Sequence, residues 1–201
     1  MVNYIKLITE NEFLTSEWAG GKTTQMFIYP NNSNYRELDF KWRISSATVE
    51  LEESEFTKLD GVSRFITPLD KDLTLTHDLN NYIKLKPYDI YKFEGGINTY
   101  SSGKVVDFNL MMFNGARGSL IKKYIEGEKI IRTSCDNNNY LELFEVFYSH
   151  ESKIIITFNK EEIKLNPKEL FIINSDNKST GLDIKIKSEC PCNILRATII
   201  I

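Results

Sequence analysis

The sequence predicts an all-β protein built from short antiparallel strands, in a barrel or sandwich. Three observations carry this. Apolar runs of four or five residues recur at close spacing, as at Leu73–Thr76, Tyr82–Leu85 and Ile90–Phe93, with turn-rich pieces Asp70-Lys71-Asp72, Asp78–Asn81 and Lys86-Pro87 between them. Two longer stretches, Leu38–Glu50 and Val105–Phe113, alternate in character from residue to residue, as strands do. After Asn114-Gly115-Ala116-Arg117-Gly118 the same rhythm restarts, with almost no helical period anywhere.

Taken in order, Tyr4–Ile8 reads as an opening strand and Thr9–Thr15 as a turn or short helical piece. The run Ser16–Gln25 ends in Gly21-Lys22-Thr23, the close of a phosphate loop. The first glycine of that motif would fall on Ser16, and Thr24–Tyr29 reads as a strand rather than the helix whose N-terminus would hold phosphate. A nucleotide loop is therefore rejected. Gly20-Gly21 reads as a tight turn or close backbone approach beside Trp18. Pro30–Arg36 is a loop by composition.

Leu38–Glu50 follows, and the chain is organised around it. Phe40, Trp42 and Ile44 are expected on one face, Lys41, Arg43, Ser45 and Ala47 on the other. A guanidinium beside small residues marks a place for an anion. Glu52–Lys58 is acidic and expected at the surface. Leu59–Ile66 is a turn entering a strand, with Arg64 at the strand's start. In Val105–Phe113, Asp107 and Asn109 share one side, supplying an acceptor and an amide as Arg43 and Ser45 supply donors. Further strands are expected at Ser119–Ile125, Ile130–Thr133, Tyr140–Tyr148, Lys153–Phe158, Glu161–Leu165, Leu170–Ile173, Leu182–Lys187 and Asn193–Ile201, with hairpin turns at Asn159-Lys160 and Asp176-Asn177-Lys178. Leu141–Val146 reads equally as a helical turn. Gly115 and its neighbours mark a seam, giving halves 1–117 and 118–201.

The 201 residues suit one large domain or two small halves. A net charge of −3 offers no field to recruit nucleic acid or an anionic membrane. No apolar run approaches a membrane span and the N-terminus lacks a secretory pattern, so the expected location is cytoplasmic. Cys135, Cys190 and Cys192 are no disulfide framework. Cys190-Pro191-Cys192 reads as spare thiols in a turn before the last strand, with redox or metal chemistry as the alternative.

Four elements together resemble the HutD/Ves family, in its short clostridial and bacillus-like branch. They are Trp18-Ala19-Gly20-Gly21-Lys22-Thr23-Thr24-Gln25, Phe40-Lys41-Trp42-Arg43-Ile44-Ser45-Ser46-Ala47, Gly61-Val62-Ser63-Arg64 and Asp107-Phe108-Asn109-Leu110-Met111, spanning roughly residues 15–115. The resemblance implies a bicupin, that is, two small antiparallel β-barrels in one chain of RmlC-like cupin architecture. It implies a link to histidine utilisation, with binding of N-formylglutamate or a related intermediate, and Arg64 as the anion-binding residue. The chain departs from the pattern at Gln25, where the family often has an acid, in the shortened Trp18–Gly21 turn, and at Phe93-Glu94-Gly95-Gly96.

The residues themselves narrow the chemistry. His77 and His150 are the two histidines, in polar loop-like settings and without ligand spacing. They are expected to be exposed, and no transition metal or other cofactor is expected. No G-x-S-x-G elbow is present, and neither Ser45 nor Ser63 has a base to recommend it. Glu52, Glu53 and Glu55 read as a solvated edge. What remains is binding, and the resemblance implies a small carboxylate as the ligand. Arg64 pairs with the carboxylate and Arg43 serves as second cation or strut. Ser45 and Asn109 orient a formyl or amide group, and Trp18 and Trp42 wall the pocket. Other roles stand beside these. Arg64 can instead bridge strands through Asp107 or Asp60, Arg43 and Asn109 can be purely structural, and Trp42 can be core. A metal-independent isomerase or hydrolase, a protein-interaction module and a homodimer are the alternatives kept.

Overall fold

In the computed structural model, which describes residues 2–133, 140–176 and 182–201, the chain is almost wholly β and divides into two units. One is Glu12–Ala116. The other joins Met1–Asn11 to Arg117–Ile201. The seam falls at the expected Asn114–Gly118 turn, but the opening strand does not stay with the first half. β1 (Val2–Ile8) pairs antiparallel with β16 (Leu170–Asp176), and its Val2 and Leu7 pack against the apolar core of that sheet.

The Glu12–Ala116 unit holds two sheets. The larger runs in the order β2 (Leu14–Trp18), β3 (Gly21–Tyr29), β4 (Trp42–Val49), β11 (Val106–Met112), β6 (Ser63–Pro68), β9 (Tyr91–Glu94). The smaller runs β5 (Glu53–Glu55), β10 (Tyr100–Ser102), β7 (Leu73–Thr76), β8 (Tyr82–Leu85). Between them lie Ile66, Leu73, Leu75, Leu85, Phe93 and Val105, with Phe56, Ile83 and Tyr91 packed alongside. The hydrophobic effect fills this end of the barrel-like interior. The β4–β11 end holds polar side chains instead.

Sequence alternation placed most of these elements. It did not find β2, β5 or β10, which are short, polar and at or near sheet edges, where pairing rather than composition makes the strand. Gly21-Lys22-Thr23 lies in β3, opposite Val49, Thr48 and Ala47 of β4, so the phosphate-loop remnant is ordinary sheet. One face assignment fails. Phe40 precedes β4 and, after the left-handed Leu38, packs with Tyr35, Met111 and Phe113, on the side of Arg43 rather than of Trp42.

The second unit forms one sheet, ordered β1, β16, β13 (Glu142–Tyr148), β17 (Asp183–Ile200), β14 (Ile154–Phe158), β15 (Glu161–Leu165), with β12 (Arg117–Arg132) also paired to β17. The four strands expected at 119–125, 130–133, 182–187 and 193–201 are two long ones. Gly127 pairs with Ser188 and Ile125 with Cys192, so residues 189–191 form a bulge. Cys190 and Pro191 lie in that bulge within β17 and Cys192 resumes the ladder, so the segment is not a turn, because proline breaks one ladder bond without ending the strand. Leu141–Val146 is strand apart from Leu141. Cys135, Asn177 and Lys178 lie outside the described residues. The core gathers Phe147, Ile154, Ile156, Leu165, Phe171, Ile184, Ile186 and Ile194. No helix of the described residues is long and apolar enough to cross a membrane.

Candidate anion-binding cavity

Across three neighbouring strands of the larger sheet, Arg43 of β4, Met111 of β11 and Arg64 of β6 stand directly opposite one another. Directly opposed residues share a face, so both guanidiniums rise from one wall. Neighbouring strands lie roughly 4.8 Å apart, which places the two arginine Cα atoms roughly 10 Å apart. Two residues along, Gln25, Ser45 and Asn109 form the next row; Thr23, Ala47 and Asp107 form a third. These rows, Gln25 apart, line a cavity of about 390 Å³, within the usual range for small-molecule sites. Ser16, Glu17 and Trp18 of β2, Tyr35 and Arg36, and Glu55, Phe56 and Thr57 complete its rim. Five of the six sequence candidates line it: Arg64, Arg43, Ser45, Asn109 and Trp18. Trp42 does not. It is fully buried beside Phe27 and Tyr29 on the opposite face, where alternation sends it.

Both cations are buried, Arg43 at 5% and Arg64 at 6% exposure. Arg43 Nε donates to Gln25 Oε1 at 2.7 Å and Nη1 to Ser45 Oγ at 2.9 Å, while its plane lies 4.3 Å from the Tyr35 ring centre. Gln25 thus holds Arg43 without cancelling its charge, at the position where the family resemblance leads one to expect an acid. Arg64 Nη1 donates to Thr57 O at 3.3 Å, and its guanidinium lies over Phe56 and Phe93. Its Nε is buried with no partner. Neither Asp107 nor Asp60 forms an ion pair with it among the described residues, so the strand-bridging alternative is not what holds Arg64. Burial pushes Arg43 down to about 10, with the nearby Arg64 charge adding to the effect. Arg64 is lowered too, chiefly by burial. A cation held at this cost is the state an incoming anion relieves.

The second unit supplies a contrast. There Arg196 is also buried, but Glu145 neutralises it through a two-pronged pair, Nε to Oε2 at 2.8 Å and Nη2 to Oε1 at 2.7 Å, and Thr198 Oγ1 donates to the same carboxylate at 3.0 Å. That arginine is structural. Among the described residues, neither arginine of the cavity is bonded to a carboxylate.

The third row holds Asp107, fully buried. Ala47 N–H donates to its Oδ1 at 3.1 Å and Asn109 Nδ2 to the same oxygen at 2.5 Å. Burial pushes its carboxyl up to about 7, against the opposing pull of the Ala47 and Asn109 hydrogen bonds and of Arg64. Asn109 Oδ1 is buried without a partner. Sequence reasoning missed Gln25, Tyr35 and the Glu55–Thr57 segment, expected at the surface. Only the strand pairing of β5 with β10 turns that segment toward the cavity.

Trp18 reaches the rim by folding its indole over Gly20, where an added Cβ would meet the ring at 1.9 Å. Gly20→Ala is therefore expected to displace Trp18 and shift the intrinsic tryptophan emission, with global stability changed little. An unchanged emission spectrum would show the ring is not seated there. Gly95 serves Arg64 similarly. Its backbone bonds Leu59 N and Val62 O at 2.7 Å each, and an added Cβ would stand 3.2 Å from Arg64 Cδ.

The histidines contribute nothing to this wall. His77 is not exposed as expected but half-buried. Its Nδ1 bonds Thr99 Oγ1 and its Nε2 bonds Tyr91 OH, both at 3.0 Å. His150 Nδ1 bonds Tyr148 OH at 3.1 Å. Among the described residues no group of three histidine, cysteine or acidic side chains is placed to hold a metal ion.

Comparison with known proteins adds to this geometry. The HutD family model matches residues 10–192, well beyond the stretch that carried the resemblance. A conserved protein of unknown function from Pseudomonas aeruginosa superposes with a TM-score of 0.81 at 17% identity, covering 98% of this chain and 99% of that one. HutD from Pseudomonas fluorescens, determined in a formate condition, gives 0.68 at 19% identity, covering 96% and 98%. The bacterial pirin YhhW from Escherichia coli, in complex with nickel(II), gives 0.67 at 10%, covering 97% and 98%. At these identities the structures speak for the fold, a cupin-type bicupin. No curated protein matches the chain.

Proposed function

The chain belongs to the HutD family, and from that premise we propose that its cavity binds a small carboxylate, in a sensing or buffering role connected with histidine breakdown. One observation carries the reading: two buried guanidiniums on one wall, each with unused N–H groups and neither bonded to a carboxylate among the described residues. A carboxylate entering between them would gain charge-assisted hydrogen bonds in a partly dry site, where such bonds are strongest. Arg64 is the main anchor. Arg43, fixed by Gln25 and Ser45, presents its remaining Nη2 as a second. Ser45 and Asn109 meet the polar middle of the ligand, and Trp18 closes the rim. N-formylglutamate, with two carboxylates and a formamide on the carbon beside one of them, offers a group to each kind of side chain on this wall. A cytoplasmic location belongs to the same reading.

Isothermal titration with N-formylglutamate, formate, glutamate and urocanate tests it. Saturable heat is expected from at least the first. Flat traces from all four, on protein whose folding is verified by its thermal transition, would remove these ligands and the role built on them.

A further inference from the structure

Two features of the cavity wall remain unused by that reading: a buried carboxyl, Asp107, and an acceptor without a donor, Asn109 Oδ1. They are coupled, since Asn109 spends its Nδ2 on Asp107 Oδ1 and is thereby turned so that its oxygen finds nothing. This is the arrangement an ionised Asp107 demands, because a carboxylate only accepts. A protonated carboxyl reverses the demand. Its O–H needs an acceptor, and Asn109 Oδ1, once turned to the place its Nδ2 now occupies, supplies one. The oxygen and nitrogen of a carboxamide are nearly the same size, so a half-turn of the terminal group exchanges them in place. Ala47 N–H keeps its bond throughout, because a hydroxyl oxygen still offers a lone pair.

We propose that Asp107 and Asn109 form a proton-operated amide switch. When Asp107 takes up a proton, Asn109 turns over and its NH₂ faces the cavity in place of an oxygen. The wall then offers anions N–H donors and one negative charge fewer. In the ionised form it offers an acceptor and a competing carboxylate. The proposal rests on reading the cavity as a carboxylate site, and it adds that occupation by an anion draws one proton onto Asp107. Asn109 becomes a residue that sets specificity, and the pH at which the protein works sets what it binds.

The surroundings permit the switch near neutrality. Burial opposes the charged form of Asp107. Arg64 on β6 favours the charged form, and Asp70, between β6 and β7, opposes it. Arg43 stands on the neighbouring β4, with Glu17, Arg36 and Glu55 at the rim. An added anion beside Arg64 screens the one strong cation favouring ionisation, so the complex holds its proton more tightly than the free protein. By linkage, affinity for the anion falls as pH rises through the free Asp107 value, by up to about tenfold per pH unit.

Two measurements decide the matter. In free ¹⁵N-labelled protein, the Asn109 side-chain NH₂ signals are followed from pH 5.5 to 8.5. They are expected to move through a single transition in the wild type and to stay at their low-pH position in Asp107→Asn, whose amide mimics the protonated acid. N-formylglutamate is then titrated at pH 7 in phosphate and in Tris. The wild-type heats are expected to differ between buffers, reporting proton uptake, while Asp107→Asn gives buffer-independent heat and pH-independent affinity. An Asn109 signal that does not move in the wild type, or that moves alike in Asp107→Asn, overturns the switch, and the wild-type profile alone suffices if the variant does not fold. Moving Asn109 signals with no binding heat would leave the switch standing and remove the carboxylate reading. Binding heat with unmoving signals would do the reverse.

Discussion

Replacing Arg64 with methionine should reduce N-formylglutamate affinity by a factor between roughly thirty and several thousand, the range expected when one partner of a buried charge pair is removed. The fold should survive, and this separates a ligand role from a structural one. Arg64 makes one long hydrogen bond to Thr57 O and leaves Nε unpaired in a buried place. Methionine keeps an apolar side chain beside Phe56 and Phe93 and removes a desolvated charge that no carboxylate pairs with directly among the described residues. Stability should therefore hold or rise while binding is lost. Arg64→Lys should fall between, since an ammonium keeps the charge but not the two-pronged geometry. Titration calorimetry gives the affinity and urea unfolding the stability. Parent-like binding by Arg64→Met would remove Arg64 from the site. A large loss of stability would return it to the structural role the sequence left open.

The opposite outcome is expected at Glu145. Its carboxylate is the counter-charge bonded to Arg196 among the described residues, through both oxygens, and is topped by Thr198, inside the second unit. Glu145→Ala should destabilise the protein by about 3–5 kcal/mol, because a buried guanidinium left alone keeps its full desolvation cost. Urea unfolding should show a lower midpoint, and the cavity of the other unit should still bind its ligand. Replacing both residues, Glu145→Leu with Arg196→Met, should recover much of the loss, since neither charge then remains buried. If the single variant unfolds like the parent, the pair is not the support described. Arg64 and Arg196 are both buried arginines on β-strands, and a single test tells them apart: removing the charge from one costs binding, and removing the counter-charge from the other costs the fold.

Much of this was legible in the chain. The period-two alternation at 42–49 and 106–112 put Arg43, Ser45, Asp107 and Asn109 on one side of their strands before any pairing was known, and put Trp42 on the other. The family resemblance supplied Arg64. What alternation cannot see is a residue outside the strand, which is why Phe40, just ahead of β4, was assigned the wrong face. Nor can it see a strand made by its neighbours. Glu53–Glu55 is acidic and short, yet pairing with β10 brings Glu55, Phe56 and Thr57 to the cavity rim. The breaks expected in β12 and β17 were read from a glycine and a proline, which in a long ribbon make a bulge instead of an end.

The sequence by itself determined the fold class and the faces of the central strands, because these follow from local alternation and turn chemistry, which act over a few residues. Tertiary structure alone decided the register that sets Arg43 and Arg64 on either side of Met111, the strand β1 carried into the other unit, and the partners each buried charge has or lacks. The registers depend on residues from 47 positions apart, Arg64 with Met111, to 173 apart, Val2 with Ser175, meeting across a ladder. Whether an arginine is a strut or a binding group is settled by which carboxylate the fold brings within reach, and no local pattern encodes that distance.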